Sequence, residues 1–183
     1  VHRDIKPSNI LFDSTGEAFL SDFGIAKSQT IADDEGEWLV GTPAYMSPEQ
    51  ARGDKVGSKT DIYSLGVMLY EMLAGVVPFE AESSFGVLMK HLNEPPAPIF
   101  GISPDLQAVI NRTLAKDEKL RYANAAEMTN ELTAVFNGKT ISKSTADIAK
   151  AEAVTSKNKK ALPFNWGWAG LGALVLIGLA FIV

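Results

Sequence analysis

The opening stretch Val1-His2-Arg3-Asp4-Ile5-Lys6-Pro7-Ser8-Asn9 places a carboxylate, two cations, an imidazole and a carboxamide within nine residues. A second acid, Asp22, follows in the tripeptide Asp22-Phe23-Gly24. Moving a phosphoryl group from a nucleotide to a hydroxyl requires a set of this kind. A carboxylate orients the attacking hydroxyl and accepts its proton, oxygen ligands hold Mg²⁺, and a cation meets the charge on the transferred group. Asp4, then Asn9 with Asp22, then Lys6 could fill these roles in that order. Each also has a plainer reading: Asp4 as a turn former, Asn9 as a turn or cap residue, Lys6 as a solvated charge, and Asp22-Phe23-Gly24 as a strand-ending turn. Their order, with a hairpin pattern between them, favours the chemical reading.

Positioning such side chains requires elements on either side. Ile10-Leu11-Phe12 and Ala18-Phe19-Leu20 are short apolar runs separated by the turn-forming Asp13-Ser14-Thr15-Gly16, which predicts a small β-hairpin. The polar stretch 27–41, with Asp33, Asp34, Glu35 and Glu37, reads as an exposed loop. Beyond it the pattern turns helical. The run from Thr60 to Gly75 has an N-cap candidate in Thr60, an acid in its first turn and apolar residues around most of its circumference, so it reads as a buried helix. Gly75 and Pro78 supply its stop. Apolar positions recurring at three- and four-residue intervals predict further helices over Ser84–Leu92, Pro104–Ala115 and Asn124–Phe136. The expected class is mainly α with a small β-hairpin.

Composition places residues 1–136 in the globular range, for the chain is 46% hydrophobic and 21% charged. Without cysteine, neither a disulfide framework nor a thiolate metal site can form. The net charge of −5 conceals an asymmetry: residues 1–136 carry 11 Lys and Arg against 20 Asp and Glu, whereas residues 137–163 carry 6 Lys against 2 acids. The acidic body argues against a nucleic-acid partner. The basic segment, rich in Ser, Thr and Ala and free of aromatic residues, reads as a flexible linker beside a membrane surface. Residues 164–183, FNWGWAGLGALVLIGLAFIV, hold no charge, and at 1.5 Å per residue would span roughly 30 Å as one transmembrane helix. Trp166 and Trp168 stand at its leading edge, with Lys157, Lys159 and Lys160 before them, which sets that flank in the cytoplasm. Val1 lies within a strand-to-loop pattern without an initiator Met, and Val183 lacks a polar exit flank. The sequence is therefore expected to be a stretch of a longer protein.

The motifs together resemble the C-terminal lobe of a eukaryotic-type (Hanks-type) serine/threonine protein kinase. His2-Arg3-Asp4-Ile5-Lys6-Pro7-Ser8-Asn9 resembles the catalytic loop, and Asp22-Phe23-Gly24 the metal-binding tripeptide. Gly41-Thr42-Pro43-Ala44-Tyr45-Met46-Ser47-Pro48-Glu49 resembles the close of the activation segment, with Ser47 where Ala is usual. The likeness covers residues 1–136. It implies ATP and Mg²⁺ as cofactors and protein Ser/Thr hydroxyls as acceptors. Asp4 would be the catalytic base, Lys6 the residue neutralising the γ-phosphate, and Asn9 and Asp22 the metal ligands. Thr42 would hydrogen-bond toward Asp4 and Lys6. Lys6, two places after Asp4, and the run from Gly41 to Tyr45 resemble the serine/threonine branch.

By the same resemblance, Arg3 would receive a phosphate placed on Ser28 or Thr30, His2 would pack beneath the catalytic loop, Asp61 would hold that loop's backbone, and Glu49 would pair with Arg121. The order of kinase lobe (1–136), basic juxtamembrane linker (137–163) and single transmembrane helix (164–183) resembles bacterial receptor kinases anchored in the cell membrane, with a homodimer of the full-length protein as an open option. In the family a Gly-rich loop, a strand Lys paired with a helix Glu, and an adenine hinge precede the catalytic loop. None occurs in this sequence, so the chain alone is expected to be inactive. Two alternatives stay open: a pseudokinase scaffold and a membrane-tethered interaction module.

Overall fold

The computed structural model describes residues 1–22 and 43–140. The chain begins as a loop that tightens into a 3-10 turn at Pro7–Asn9, where Pro7 supplies the fixed backbone angle favoured at a helix start. Two short strands follow, β1 (Ile10–Phe12) and β2 (Ala18–Leu20), paired antiparallel with Ile10 opposite Leu20 and Phe12 opposite Ala18. The reversal between them is built on one carboxylate. Asp13 Oδ1 accepts from the Thr15 N–H at 2.8 Å, the Thr15 hydroxyl at 2.7 Å and the Glu17 N–H at 2.9 Å. Gly16, at φ 86°, supplies the left-handed residue that the turn needs.

The remainder is helical. A 3-10 turn at Pro43–Tyr45 leads into α1 (Pro48–Arg52), followed by α2 (Ser58–Ala74), α3 (Ser84–Asn93), α4 (Pro104–Thr113) and α5 (Ala125–Phe136). Side chains at the N-caps fix four starts: Ser47 Oγ accepts from the Gln50 N–H, Ser83 Oγ from the Gly86 N–H, Ser103 Oγ from the Leu106 N–H, and Asn124 Oδ1 from the Glu127 N–H. Pro104 adds an N1 proline to α4. The long helix α2 ends at Gly75, which takes the left-handed conformation at φ 76°.

Helix α2 is the axis of the packing. Tyr63, Val67 and Tyr70 meet Ile110 and Leu114 in one core cluster, while Ile62 meets Val109, Tyr122 and Met128 in a second. Complete burial of a side chain of this size is worth about 1.5–3 kcal/mol. Gly66 lets α2 and α4 approach closely, since a Cβ built there would stand 2.7 Å from Thr113 Cβ.

The expected strands coincide with the observed ones, and the four expected helices are present with ends shifted by one or two residues. Thr60 is not the cap of α2. The helix starts two residues earlier, at Ser58 behind Gly57, and Thr60 is buried within it. Helix α1 has no counterpart among the expected elements. Among the described residues no helix is long and apolar enough to cross a membrane. The expected exposed loop (27–41) and transmembrane segment (164–183), with most of the linker (137–163), lie outside the described residues.

Candidate active site

The loop before β1 turns its polar groups toward one another around Asp4. Lys6 Nζ lies 3.0 Å from Asp4 Oδ2. The Asn9 carboxamide Nδ2 donates to the Asp4 carbonyl at 2.7 Å and to Asp4 Oδ2 at 3.2 Å. One carboxylate oxygen is thus held from two sides, which restricts the rotation of a side chain that keeps partial access to solvent, at 27% exposure. Asn9 itself is buried.

Backbone pairing carries Asp22 toward this cluster. The Asn9 carbonyl accepts from the Ser21 N–H at 2.9 Å and from the Ser21 hydroxyl at 3.1 Å, extending the hairpin pairing one step beyond Ile10 and Leu20. Asp22 is the next residue, exposed and in the left-handed region at φ 55°. That backbone is uncommon for a side-chain-bearing residue, and Asp is among the residues that best tolerate it. Three of the expected site residues, Asp4, Lys6 and Asn9, are therefore in direct contact, and Asp22 is tied to them through the Asn9–Ser21 pairing. Thr42 lies outside the described residues, as do Phe23 and Gly24.

The loop is anchored to α2. Asp61 Oδ2 and Oδ1 accept the backbone N–H groups of His2 and Arg3, both at 2.8 Å. Arg3 is held there in the left-handed region at φ 71°. His2 is buried and fixed through both ring nitrogens: Nδ1 accepts from the Asp4 N–H at 3.3 Å, and Nε2 donates to the Ser21 carbonyl at 3.0 Å. These partners define the tautomer, with the proton on Nε2. The histidine thereby links the loop carrying Asp4 to the end of β2.

A second set of bonds fixes the segment after the undescribed stretch. Ser64 Oγ on α2 donates to the Tyr45 carbonyl at 2.8 Å, and Tyr45 Oη donates to Glu71 Oε2 at 2.7 Å. Burial, reinforced by the Glu71 bond and charge, pushes the Tyr45 phenol well above its ordinary range, so it stays a donor. Beneath lies His91, fully buried against the edge of Phe79, with Nδ1 2.9 Å from Tyr63 Oη. Burial and the neighbouring Lys116 charge lower its pKa to about 3, so the ring is neutral at physiological pH.

Glu49 and Arg121 form a fully buried bidentate pair at 2.7 and 2.9 Å. Glu49 Oε1 also accepts from the Thr60 hydroxyl at 2.7 Å. Burial by itself raises the Glu49 carboxyl, but the Arg121 hydrogen bonds and charge outweigh it and bring the pKa to about 2. Two participants escaped the sequence reading, Thr60 and Gln50. The signal for the second was present as Ser47-Pro48-Glu49-Gln50, the Ser-x-x-Gln spacing of a capping box.

With this geometry in view, the comparisons with known proteins converge on one family. The family model described as "Protein kinase domain" matches residues 1–133, and the chain belongs to that family. The serine/threonine-protein kinase PknB of Mycobacterium tuberculosis is 44% identical over 147 residues, covering 75% of this chain and 23% of the relative. PknB of Mycobacterium leprae is 44% identical over 146 residues, with the same shares covered. A probable serine/threonine-protein kinase PknB of Bifidobacterium longum is 38% identical over 147 residues, covering 75% of this chain and 21% of the relative. The chain thus spans under a quarter of the length of these curated relatives.

Proposed function

We propose that this chain supplies the catalytic-loop part of a serine/threonine protein kinase that moves the γ-phosphoryl group of ATP to protein hydroxyls. The observation that carries the reading is the double restraint on Asp4, whose Oδ2 is held by Lys6 Nζ at 3.0 Å and Asn9 Nδ2 at 3.2 Å. A carboxylate so fixed can align an acceptor hydroxyl and take its proton as the oxygen attacks. Lys6, already beside that carboxylate, meets the negative charge of the phosphoryl group and lowers the repulsion between it and Asp4. Thr42 is assigned a hydrogen bond toward Asp4 and Lys6. Asn9 and Asp22 offer the oxygen donors that a small hard cation prefers, and the reading is supported by the pairing of Asn9 with Ser21, the residue before Asp22. When bound there, Mg²⁺ would neutralise phosphate charge.

Positioning and electrostatics supply most of the rate in phosphoryl transfer. This sequence contains no Gly-rich loop or adenine hinge, so the 183-residue chain alone is assigned no useful transfer activity. Residues 137–163 and 164–183 are assigned as a basic juxtamembrane linker and a membrane anchor that hold the kinase part on the cytoplasmic face.

The test is transfer of labelled phosphate to a generic protein substrate by the full-length protein. Asp4→Asn is expected to lower kcat by roughly 10²–10⁴-fold, the range for loss of a positioned general base. Unchanged transfer by that variant would refute the role of Asp4, and absence of transfer by the wild-type protein would favour a scaffold.

A further inference from the structure

We infer that Gln50 is a positioning residue for the phosphoryl-transfer site: its side-chain amide locks the peptide plane immediately before Asp4 to the start of α1. The inference rests on the function proposed above. Gln50 is buried, and its side chain is used at both ends. Oε1 accepts from the Ser47 N–H at 3.0 Å, and Nε2 donates to the Arg3 carbonyl at 2.9 Å, across 47 residues of sequence. The Ser47 hydroxyl in turn accepts from the Gln50 N–H at 3.3 Å, which completes the capping box. Helix α1 follows the 43–46 segment directly, so one side chain joins the end of that segment to the loop holding Asp4.

The location of the bond gives it leverage. The Arg3 carbonyl and the Asp4 N–H belong to a single rigid peptide plane. Gln50 holds its oxygen at 2.9 Å, and His2 Nδ1 holds its nitrogen at 3.3 Å. One plane earlier, Asp61 Oδ1 holds the Arg3 N–H. Rotation of the plane between Arg3 and Asp4 would swing the Asp4 side chain away from Lys6 and Asn9. The plane adjoins Arg3, which sits at φ 71°, a region that side-chain-bearing residues seldom occupy and keep only where their surroundings hold them. The Asp61 bond fixes the plane before Arg3 and the Gln50 bond fixes the plane after it. The amide that reaches across is oriented by the backbone N–H at position 47 and not by the Ser47 hydroxyl, which caps the helix.

The test compares variants of the full-length protein. Gln50→Glu keeps the acceptor for the Ser47 N–H and sets an oxygen against the Arg3 carbonyl, while Gln50→Met removes the donor without adding charge. Both are expected to lower kcat about tenfold, the worth of one buried hydrogen bond expressed in the barrier, with KM for ATP within about twofold of wild type. Ser47→Ala removes the hydroxyl cap and leaves both Gln50 side-chain bonds possible, so it should lower Tm with kcat within about twofold. Amide hydrogen exchange in the same proteins provides a readout independent of turnover: the Asp4 N–H should exchange about tenfold faster in the Gln50 variants than in Ser47→Ala. The inference is overturned if the Gln50 variants keep wild-type kcat, or if Ser47→Ala matches them in both kcat and Asp4 exchange. If wild-type protein transfers no phosphate, the proposed function fails, and the exchange comparison still decides whether Gln50 holds the plane.

Discussion

At the scale of single residues the structure separates groups that hold from groups that react. Arg121 has no exposed side-chain surface, and each of its five N–H donors finds an acceptor: Nε meets the Ala115 carbonyl, and the two terminal nitrogens meet both Glu49 oxygens, the Lys59 carbonyl and, at 3.4 Å, the Lys116 carbonyl. Its guanidinium also lies 4.9 Å from the centre of the Tyr63 ring. A buried ion pair of this kind gains little over an apolar pair of equal volume, yet removal of one partner strands the other charge. Arg121→Met is therefore expected to destabilise the protein by about 3–5 kcal/mol, with the double variant Glu49→Leu/Arg121→Met less destabilised than that single change. Urea unfolding of the set measures this. Additive losses would show that the pair is not the source of the cost.

At the scale of elements, the α2–α4 crossing depends on what Gly66 lacks. Alanine inside a helix ordinarily gains about 1 kcal/mol over glycine. At Gly66 the added Cβ would meet Thr113 Cβ and Oγ1 at 2.7 Å and Leu114 Cδ2 at 3.2 Å, and overpacking of that kind costs about 1–3 kcal/mol. The steric term exceeds the propensity term, so Gly66→Ala should lower Tm. Gly57→Ser, where nothing stands within 4 Å of the added Cβ and a missing cap would be supplied, should leave Tm unchanged or raise it. A Gly66→Ala protein as stable as wild type would show that the crossing has slack. Elements of this sort were readable from the chain where their signal is local. The turn residues between β1 and β2, the periodicity of α3 to α5 and the stop at Gly75 each act within a few residues. The start of α2 departs from its local signal because Thr60, a good cap by type, lies inside the helix and gives its hydroxyl to a partner eleven residues away, Glu49. Helix α1 spans only five residues, too few to show periodicity, and was absorbed into the motif ending at Glu49. The contacts among Asp4, Lys6 and Asn9 follow from their closeness in sequence, whereas the bond from Gln50 to Arg3 spans the fold and leaves no local trace.

At the scale of the whole molecule, the buried titratable groups set how the lobe responds to acid. His91 enters the fold from an ordinary imidazole pKa of 6.5 and is held at about 3, first by burial and then by Lys116, with the Ala44 backbone offsetting only part. The unfolded chain therefore takes up a proton that the folded chain refuses, and stability falls as pH drops below about 6.5. Glu49 works over a lower window. Its pKa falls from 4.5 to about 2 on folding, so its contribution is complete above about 4.5 and is lost as pH falls toward 2. Between pH 6.5 and 4.5 His91 alone of these two groups acts, and a single proton taken up on unfolding gives a slope of about 1.4 kcal/mol per pH unit. His91→Phe retains an aromatic ring beside Phe79 but loses the bond to Tyr63 Oη. It should unfold more easily at pH 7 and yet show little further loss down to pH 5. Urea midpoints for wild type and His91→Phe at pH 7, 6 and 5 make the comparison. Parallel declines in the two proteins would place the acid sensitivity elsewhere, whereas a flat variant beside a falling wild type would assign it to the ring beneath the 43–46 segment.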